Sequence, residues 1–154
     1  MTPDDVQAAL DALGLETRVQ IYESSTRTAQ EAADSIGCEL GAIAKSLCFM
    51  INGTPVVIIT AGDQRVDTRK VAAHYDVGRK KVKIASPQQT HQATGFAVGG
   101  VSPVGHDLPI LIDATLARFE TVYAAAGSPN AIFPIAYEAL LRVTEGMVVD
   151  VVQT

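Results

Sequence analysis

The sequence predicts a single α+β domain, built on a curved, mixed and largely antiparallel sheet of about seven strands with helices around it. Short apolar runs of strand length alternate with helix-start signals along the chain. Asn52-Gly53 separates two of these runs, which is typical of an antiparallel hairpin and argues against a purely parallel sheet. The length of 154 residues suits one domain, which we expect to span residues 1–154.

The N-terminal part of the chain predicts a helix, a strand and a second helix. Thr2-Pro3 begins a run whose apolar residues share one face, and Gly14 ends this helix. Alternation from Thr17 to Tyr22 predicts a strand. A capping box at Thr28 predicts a short helix that ends at Gly37.

The central hairpin is the clearest local signal. It joins apolar runs at residues 45–51 and 55–61 through Asn52-Gly53-Thr54. Both faces of the first run are largely apolar, so we expect a central strand with Lys45 at its start. Most lysines are solvated surface charges, and only the position beside a buried strand makes Lys45 a candidate site residue.

The second half of the chain alternates helices, strands and loops. Asp67 and Ser86 have the chemistry of helix caps, and a further helix is predicted from Tyr137 to Val143. The predicted strands are 82–85, 109–112, 121–125, 131–135 and 147–152. A loop rich in glycine occupies residues 95–107.

Composition excludes several classes of protein and site. No apolar run has the length of a membrane span and the acidic N-terminus does not resemble a signal peptide, so we expect a cytoplasmic protein with no membrane partner. Cys38 and Cys48 do not make a disulfide scaffold. The three histidines lack metal-ligand spacing, so no metal and no cofactor are expected. No catalytic triad can be assembled.

One segment is strongly basic although the chain as a whole is acidic. The total charge is −5, whereas residues 65–83 carry seven basic side chains and two aspartates. Such a patch suits local contact with a polyanion, although a solvated charged face is the commoner outcome. The basic residues of this segment are Arg65, Arg69, Lys70, Arg79, Lys80, Lys81 and Lys83.

The loop at 95–107 has an unusual density of glycine. It is not a P-loop, because Val101-Ser102 stand where Lys-Ser/Thr would be required. It is not a nucleophile elbow, because Pro103 follows the serine and has no N–H for an oxyanion hole. Gly99 and Gly100 tolerate close approach of a ligand, so the loop can present N–H groups to a carbonyl or phosphate oxygen. A purely structural turn is the competing interpretation.

Six short motifs follow one another along the chain. They are residues 42–47, 62–67, 85–87, 95–106, 112–113 and 126–127. Each motif alone is weak, but the ordered set is specific. In this order they resemble the YbaK/prolyl-tRNA-synthetase-associated domain family, from about Val19 to the C-terminus.

The resemblance implies a YbaK-like α+β fold and hydrolysis of mischarged aminoacyl-tRNA, often tRNA for proline carrying alanine or cysteine. It implies no metal, mischarged tRNA as partner, and an aminoacyl-tRNA synthetase as a candidate second partner. Lys45 matches the family's characteristic lysine, thought to engage the terminal adenosine's phosphate, and Gly99–Pro103 match the loop that positions the ester. We therefore expect catalytic roles for Lys45, Gly99 and Gly100. The expected substrate-binding residues are Ser46, Val101, Ser102, Pro103, Gly105, His106 and Gly127. The basic segment is expected to bind tRNA.

The resemblance leaves several alternatives open. An aminoacyl ester is already activated, so the ribose hydroxyl, a water or a substrate thiol can attack it without an enzymic nucleophile. The stretch 127–133 is apolar after Asn130, whereas cysteine-editing relatives tend to be more polar there, so the edited amino acid stays open. A non-catalytic module that binds tRNA or a nucleotide is the alternative function. The oligomeric state also stays open.

Overall fold

The computed structural model of the protein describes residues 1–26 and 28–154, which contain five α-helices and eight β-strands. The helices are α1 (Pro3–Ala12), α2 (Ala29–Ile36), α3 (Thr68–Tyr75), α4 (Pro87–Thr94) and α5 (Tyr137–Thr144). The strands are β1 (Gln20–Ile21), β2 (Ile43–Ile51), β3 (Thr54–Ala61), β4 (Val82–Ile84), β5 (Ile110–Asp113), β6 (Thr121–Ala125), β7 (Ala131–Ala136) and β8 (Met147–Val149). The expected number of about seven strands is therefore low by one.

Local chemistry explains where these elements begin and end. Side-chain oxygens cap the first four helices, at Thr2, Thr28, Asp67 and Ser86. The turn between β2 and β3 has two residues rather than three, because Thr54 already pairs with Ile51. Asn52 and Gly53 both adopt positive φ, at 50° and 82°, which is the conformation that Asn-Gly hairpin turns favour.

The sheet is mixed, as the sequence predicts. Its strand order is β1-β7-β6-β2-β3-β5-β8, and β4 also pairs with β2. The pairs β1–β7, β2–β3, β2–β4 and β6–β7 are antiparallel, whereas β2–β6, β3–β5 and β5–β8 are parallel. The central position expected for β2 is confirmed, because three strands pair with it.

Two predicted strands are shorter in the structure than the alternation suggests. Strand β1 has two residues because the segment before it turns to other partners: the backbone N–H of Val19 donates to the side chain of Gln7 at 2.8 Å. Strand β8 ends at Val149, and Val152 instead forms an antiparallel bridge with Val66. The end of the chain thus covers the start of the basic segment.

Hydrophobic packing covers both faces of the sheet. Alternate residues of β3 point to opposite faces, so Val57 and Ile59 pack in one cluster with α1 and α5. Val56 and Ile58 pack in a second cluster, which includes Val71 of α3. A third, smaller cluster lies under α2. Because β2 and β3 are buried from both sides, they form a rigid base for side chains at their ends.

Candidate active site

The defining feature of the site is a gap along one edge of β2. Strand β3 pairs with β2 from Ala44 to Ile51. On the other edge, β6 pairs with residues 43–44 and β4 pairs with residues 49–51. Residues 45–48 therefore have no strand neighbour on that edge. A cavity of about 300 Å³, called here the β2 cavity, opens at this gap.

Ser46 offers unpaired polar groups to this gap. The carbonyl oxygen of Cys48 accepts a hydrogen bond from the N–H of Ala85 at 3.0 Å, which shows that Cys48 turns its backbone toward the β4 side. Backbone direction repeats every second residue, so Ser46 turns its N–H and C=O the same way, where no strand pairs with them. The Oγ of Ser46 is also buried and has no hydrogen-bond partner within the described ranges.

The walls of the β2 cavity are mainly apolar. Helix α2 contributes Ala29 and Ala32, and the sheet contributes Ile43, Ala125 and Ile132. The remaining lining residues are Thr26, Thr28, Ala44, Lys45, Ser46, Leu47, Cys48, Ile84, Ala85, Pro87, Thr90, Val98, Gly99 and Val101. Among these described residues there is no carboxylate, histidine or aromatic side chain. Lys45 is the charged residue of this set, and its other polar groups are mainly serine and threonine hydroxyls.

The glycine loop reaches the cavity through Val98, Gly99 and Val101. Gly99 has a φ of 89° and lines the cavity together with Val101. The N–H groups of Gly99 and Val101 have no acceptor among residues 1–26 and 28–154. In contrast, the N–H of Gly100 donates to the carbonyl of Ala97 at 3.0 Å. Of the two glycines expected to have catalytic roles, Gly99 therefore has an N–H without an acceptor in the described chain, whereas the N–H of Gly100 is engaged within the loop.

Gly100 and Gly127 hold the loop by close backbone contact. The N–H of Gly127, whose φ is 92°, donates to the carbonyl of Gly100 at 2.9 Å. A Cβ on Gly100 would lie 3.0 Å from the carbonyl carbon of Gly127 and from the nitrogen of Ser128. A side chain at Gly100 would thus fit only if this backbone moved by a few tenths of an ångström. Both glycines support the loop, and neither lines the β2 cavity.

The second half of the loop faces elsewhere. Pro103, Gly105 and His106 line a different cavity, of about 550 Å³, beside α1. Ser102 is fully buried, and its Oγ accepts from the N–H of Val104 at 3.2 Å. The structure does not bring these four residues to the β2 cavity, so their expected contact with substrate is not seen in the described arrangement.

Hydrogen bonds within the loop hold the imidazole of His106 in its neutral form. Its Nδ1 accepts from the N–H of Leu108 at 3.3 Å, so the proton lies on Nε2, which donates to the carbonyl of Ser102 at 3.1 Å. Burial lowers the pKa of His106, and the hydrogen bond to Ser102 partly opposes this shift. Both ring nitrogens are therefore occupied in holding the loop.

Lys45 lies between two cavities. It lines the β2 cavity and also a third one, of about 600 Å³, formed with Asp63, Gln64 and Arg65. Its ammonium donates to the carbonyl of Gln64 at 3.4 Å. Burial, and then the charge of Arg65, lower the pKa of Lys45, whereas Asp63 opposes the shift. The start of β2, where the sequence predicts Lys45, thus lies beside the β2 cavity, and the role of this lysine stays a prediction.

The nearest carboxylate does not neutralise Lys45. Both oxygens of Asp63 bind the guanidinium of Arg118, at 2.8 and 3.0 Å. This hydrogen-bonded pair lowers the pKa of Asp63. In the described part of the chain, Lys45 and Arg65 form no salt bridge. Two neighbouring cations without a paired anion are suited to an anionic ligand.

The basic segment is mostly free, with one exception. Lys70 donates to both oxygens of Asp150 at 3.0 Å and to the carbonyl of Val152 at 2.8 Å. This lysine is therefore committed to the end of the chain. The other six, none in a salt bridge within the described residues, are Arg65, Arg69, Arg79, Lys80, Lys81 and Lys83.

Metal and membrane features can be stated for the described chain. Residues 1–26 and 28–154 contain no group of three or more His, Cys, Asp or Glu side chains that could hold a metal ion. In the same residues, no helix has the length and hydrophobicity required to cross a bilayer. Cys38 and Cys48 are free thiols, and burial raises the pKa of each.

Several cavity residues were not singled out by sequence reasoning. They include the two alanines of α2, Ile84 and Val98. An apolar residue carries no local signal that distinguishes a cavity wall from a core position. Ile84 lies on the same face of its strand as the buried Val82, so the pattern predicts a core residue. In the structure, however, 67% of Ile84 is exposed.

The protein has an apolar cavity between Lys45 and a glycine loop, on a mixed α+β sheet. These features place it in a class of domains suited to binding an activated acyl ester. Residues 23–143 match the model of the aminoacyl-tRNA editing domain, and the chain belongs to this family. The expected family, fold class and activity class, a hydrolase acting on aminoacyl-tRNA, are thereby confirmed.

Relatives of this chain agree with that assignment. YwhH of Bacillus subtilis (strain 168) is 39% identical over 118 residues, which are 75% of this chain and 73% of YwhH. EbsC of Enterococcus faecalis (strain ATCC 700802 / V583), named provisionally as a Cys-tRNA(Pro)/Cys-tRNA(Cys) deacylase, is 31% identical over 127 residues, 80% of this chain and 76% of EbsC. A crystal structure described provisionally as a trans-editing enzyme for prolyl-tRNA synthetase superposes with a TM-score of 0.92 at 35% identity, covering 99% of this chain and 97% of the other.

The chain also resembles a segment of a larger enzyme. A proline–tRNA ligase of Solidesulfovibrio magneticus (strain ATCC 700980 / DSM 13731 / RS-1) is 29% identical over 112 residues. These residues are 73% of this chain but 19% of the ligase. A domain similar to this one therefore occurs within a proline–tRNA ligase.

Proposed function

We propose that this protein hydrolyses the ester of a mischarged tRNA that carries a small amino acid, on tRNA-Pro or a related tRNA. It does so by positioning the substrate and stabilising the oxyanion with backbone N–H groups, as one editing domain over residues 1–154 acting in the cytoplasm. The observation that carries this proposal is the β2 cavity, which Lys45, Ser46, Gly99 and Val101 line together. The N–H groups of Gly99 and Val101 have no acceptor among the described residues.

The size and lining of the cavity favour a small, weakly polar amino acid. The walls toward α2 and β7 are Ala29, Ala32, Ile43 and Ile132, which leave about 300 Å³. In the stretch after Asn130, Ile132 is the residue that lines the cavity. A cationic side chain would lose its hydration there without gaining a partner, because no carboxylate lines this described cavity.

The chemistry requires little from the side chains. Attack on the ester carbon, by water or by the neighbouring ribose hydroxyl followed by water, gives a tetrahedral oxyanion. The N–H groups of Gly99 and Val101 then stabilise the negative oxygen. Collapse of this intermediate breaks the ester C–O bond, and the ribose oxygen leaves and takes up the proton that the attacking water or hydroxyl has lost. Gly100 acts indirectly, because its own N–H is engaged and its contact with Gly127 holds the loop.

Lys45 supplies the anchor for the nucleotide. Its ammonium and the guanidinium of Arg65 repel each other, and the nearest carboxylate, Asp63, is occupied by Arg118. A phosphate oxygen of the tRNA terminus would relieve that repulsion with charge-assisted contacts. Ser102, Pro103, Gly105 and His106 are assigned the role of shaping the loop, and direct substrate binding by them stays a prediction.

The test is single-turnover hydrolysis over a panel of mischarged tRNAs by wild type, Lys45→Ala and a matched Lys70→Ala control. We expect wild type to cleave a small amino acid fastest. Loss of a charge-assisted contact of roughly 1.5–3 kcal/mol should slow Lys45→Ala by about tenfold to a hundredfold. Lys70→Ala removes the same charge outside the three cavities and should behave as wild type.

Two outcomes would contradict the proposal. A folded wild type that binds tRNA but cleaves no aminoacyl ester would make the protein a binding module. A folded Lys45→Ala variant that is as fast as wild type on the best substrate would remove the active-site assignment. Circular dichroism of each variant is the folding control. Addition of a prolyl-tRNA synthetase to the same assay tests the proposed partner, since a functional partner should raise the rate.

A further inference from the structure

Two exposed apolar side chains stand at the mouth of the β2 cavity. Ile84 is 67% exposed and Val98 is 54% exposed, yet both line the cavity. The other large apolar residues that are exposed in the described chain are Met1, Leu13, Ile21, Met147 and Val148. None of those lines this cavity. An exposed side chain that also lines a cavity must lie at its opening, so Ile84 and Val98 form an apolar rim.

Local structure explains why the rim is left uncovered. Ile84 ends β4 and pairs with Phe49, which is the first residue of β2 beyond the gap. Strand β4 pairs with β2 alone among the described strands, so no further strand covers it. Val98 directly precedes Gly99, whose positive φ turns the chain toward the cavity. The rim therefore lies at the same gap that exposes Ser46.

The charges beside the rim indicate the polarity of its ligand. Arg79, Lys80 and Lys81 form a short 3-10 turn immediately before β4, and Lys83 precedes Ile84. All four are exposed, and none forms a salt bridge within the described residues. A ligand that meets the rim with an apolar face and continues into a chain of negative charges would match both features.

We propose that Ile84 and Val98 pack against the terminal adenine of the aminoacyl-tRNA, while the amino acid enters the cavity; this inference rests on the proposed function. The adenine ring is flat, has an apolar face, and remains at the opening when the ester reaches the Gly99 N–H. No aromatic side chain lines the described cavity, so aliphatic carbons make this contact instead of a stacking ring. The phosphates that precede the adenosine then run toward Arg79–Lys83.

The test couples a change in the protein with a change in the substrate. The protein variants are wild type, the double variant Ile84→Ala/Val98→Ala, and Met147→Ala, an exposed apolar control on β8 at the far edge of the sheet. The substrates are one mischarged tRNA and the same tRNA with its terminal adenosine replaced by cytidine and aminoacylated chemically. The measured quantity is the enzyme concentration that half-saturates single-turnover hydrolysis.

We expect the double variant to raise this concentration roughly five- to thirtyfold on the natural terminus, since it removes five carbons from an apolar contact. The cytidine terminus should weaken wild type similarly but add little further loss in the double variant, which is the signature of direct coupling. Met147→Ala should match wild type on both substrates.

Each failure has a distinct meaning. If the double variant equals wild type on the natural terminus while wild type is active, the rim does not contact substrate. If the losses from protein and terminus are independent, the rim contacts another part of the substrate, such as the amino acid, and the adenine assignment is wrong. If wild type cleaves no mischarged tRNA, it is the proposed function that fails.

Discussion

Lys45 illustrates how one residue acquires its chemistry from its neighbours. It follows two buried residues of β2, lies partly buried itself, and stands beside Arg65 without a carboxylate of its own. An ammonium in this position is less stable than one in water, so its pKa is lowered. A phosphate bound beside Lys45 would stabilise the ammonium and raise its pKa, so the pKa of Lys45 should change when substrate binds.

The lowered pKa of Lys45 predicts an alkaline limit to activity. In the proposed role the charged form of Lys45 binds phosphate, so kcat/KM should be retained at neutral pH and fall as pH rises through a pKa below the ordinary 10.5. Lys45→Arg should be slower, because its guanidinium is larger and planar, but should lose this alkaline limb because it stays charged. The measurement is a pH profile corrected for uncatalysed ester hydrolysis.

Titration of Lys45 does not destabilise the fold at alkaline pH, so it cannot produce the loss of activity by unfolding the protein. Between the lowered pKa and 10.5, the unfolded chain binds the lysine proton more tightly than the folded protein does. Stability linked to Lys45 therefore rises with pH in that window. An alkaline limb that persists unchanged in Lys45→Arg would assign the titration to another group.

The two cysteines should be dispensable for catalysis. Cys48 lines the β2 cavity, but burial raises the pKa of its thiol and of Cys38, so little thiolate is present at neutral pH. We expect Cys38→Ser/Cys48→Ala to keep single-turnover rates within about threefold, with a stability loss of about 1 kcal/mol. A folded double variant with no activity would show that a thiol takes part.

At the scale of elements, the glycine loop serves two cavities. Its first half, around Gly99, faces the β2 cavity, and its second half, around His106, faces α1. The backbone of Gly100 contacts Gly127 and holds the first half of the loop in place. The position of the proposed oxyanion donors therefore depends on a backbone contact rather than on a side chain.

Gly100→Ala should displace the loop. The new Cβ would meet backbone atoms at 3.0 Å, which cannot move as a side-chain end can. We expect at least about a tenfold loss of rate, with a cost of about 1–3 kcal/mol in the free energy of unfolding. Gly78→Ala is the matched control, because nothing lies within 4 Å of its Cβ. Equal rates for the two variants, measured in single turnover with urea unfolding, would contradict the role of Gly100.

The basic segment should act as a unit on the tRNA backbone. Replacing Arg79, Lys80 and Lys81 with Gln removes three exposed charges that have no salt bridge in the described chain. The slope of log affinity against log salt should flatten by about one unit for each lost phosphate contact. Lys70→Gln should leave the slope unchanged, because Asp150 already engages this lysine. An unchanged slope in the triple variant would make the 3-10 turn a solvated face.

At the scale of the whole molecule, the sheet itself makes the site. Strand β2 lies in the middle of the sheet, but β4 and β6 each cover only part of one edge. Helices on both faces keep β2 and β3 buried, so the gap is held open by a rigid core. This arrangement offers backbone donors and acceptors at the gap, and Lys45 is the side chain for which we propose a role in the reaction.

The absence of a metal role can be tested on the intact protein. No cluster of potential ligands occurs in residues 1–26 and 28–154, so a zinc chelator should leave single-turnover deacylation unchanged. Magnesium is kept in the assay because tRNA folding needs it. A rate that vanishes with chelator and returns with added zinc would overturn the expectation. Wild type without chelator is the reference.

Much of the fold could be predicted because its signals are local. Alternation at β2 and β3, the Asn52-Gly53 turn, and caps at Asp67 and Ser86 act within a few residues of the chain. The same signals overestimated β1, because a bond from Val19 to α1 replaced strand pairing. They also failed to predict the exposure of Ile84, since alternation cannot reveal that the last residue of a short strand lies uncovered.

The sequence by itself determined the class of fold, the family, and the placing of Lys45 at the start of a buried strand with a glycine loop later in the chain. Only the tertiary structure decided that β2 has an open edge and that Lys70 is already paired. It also decided that, among the described residues, the N–H of Gly100 has an acceptor whereas that of Val101 has none. The physical reason is range. Periodicity, caps and turns depend on neighbours in sequence, whereas strand edges, cavities and ion pairs depend on residues that only folding brings together.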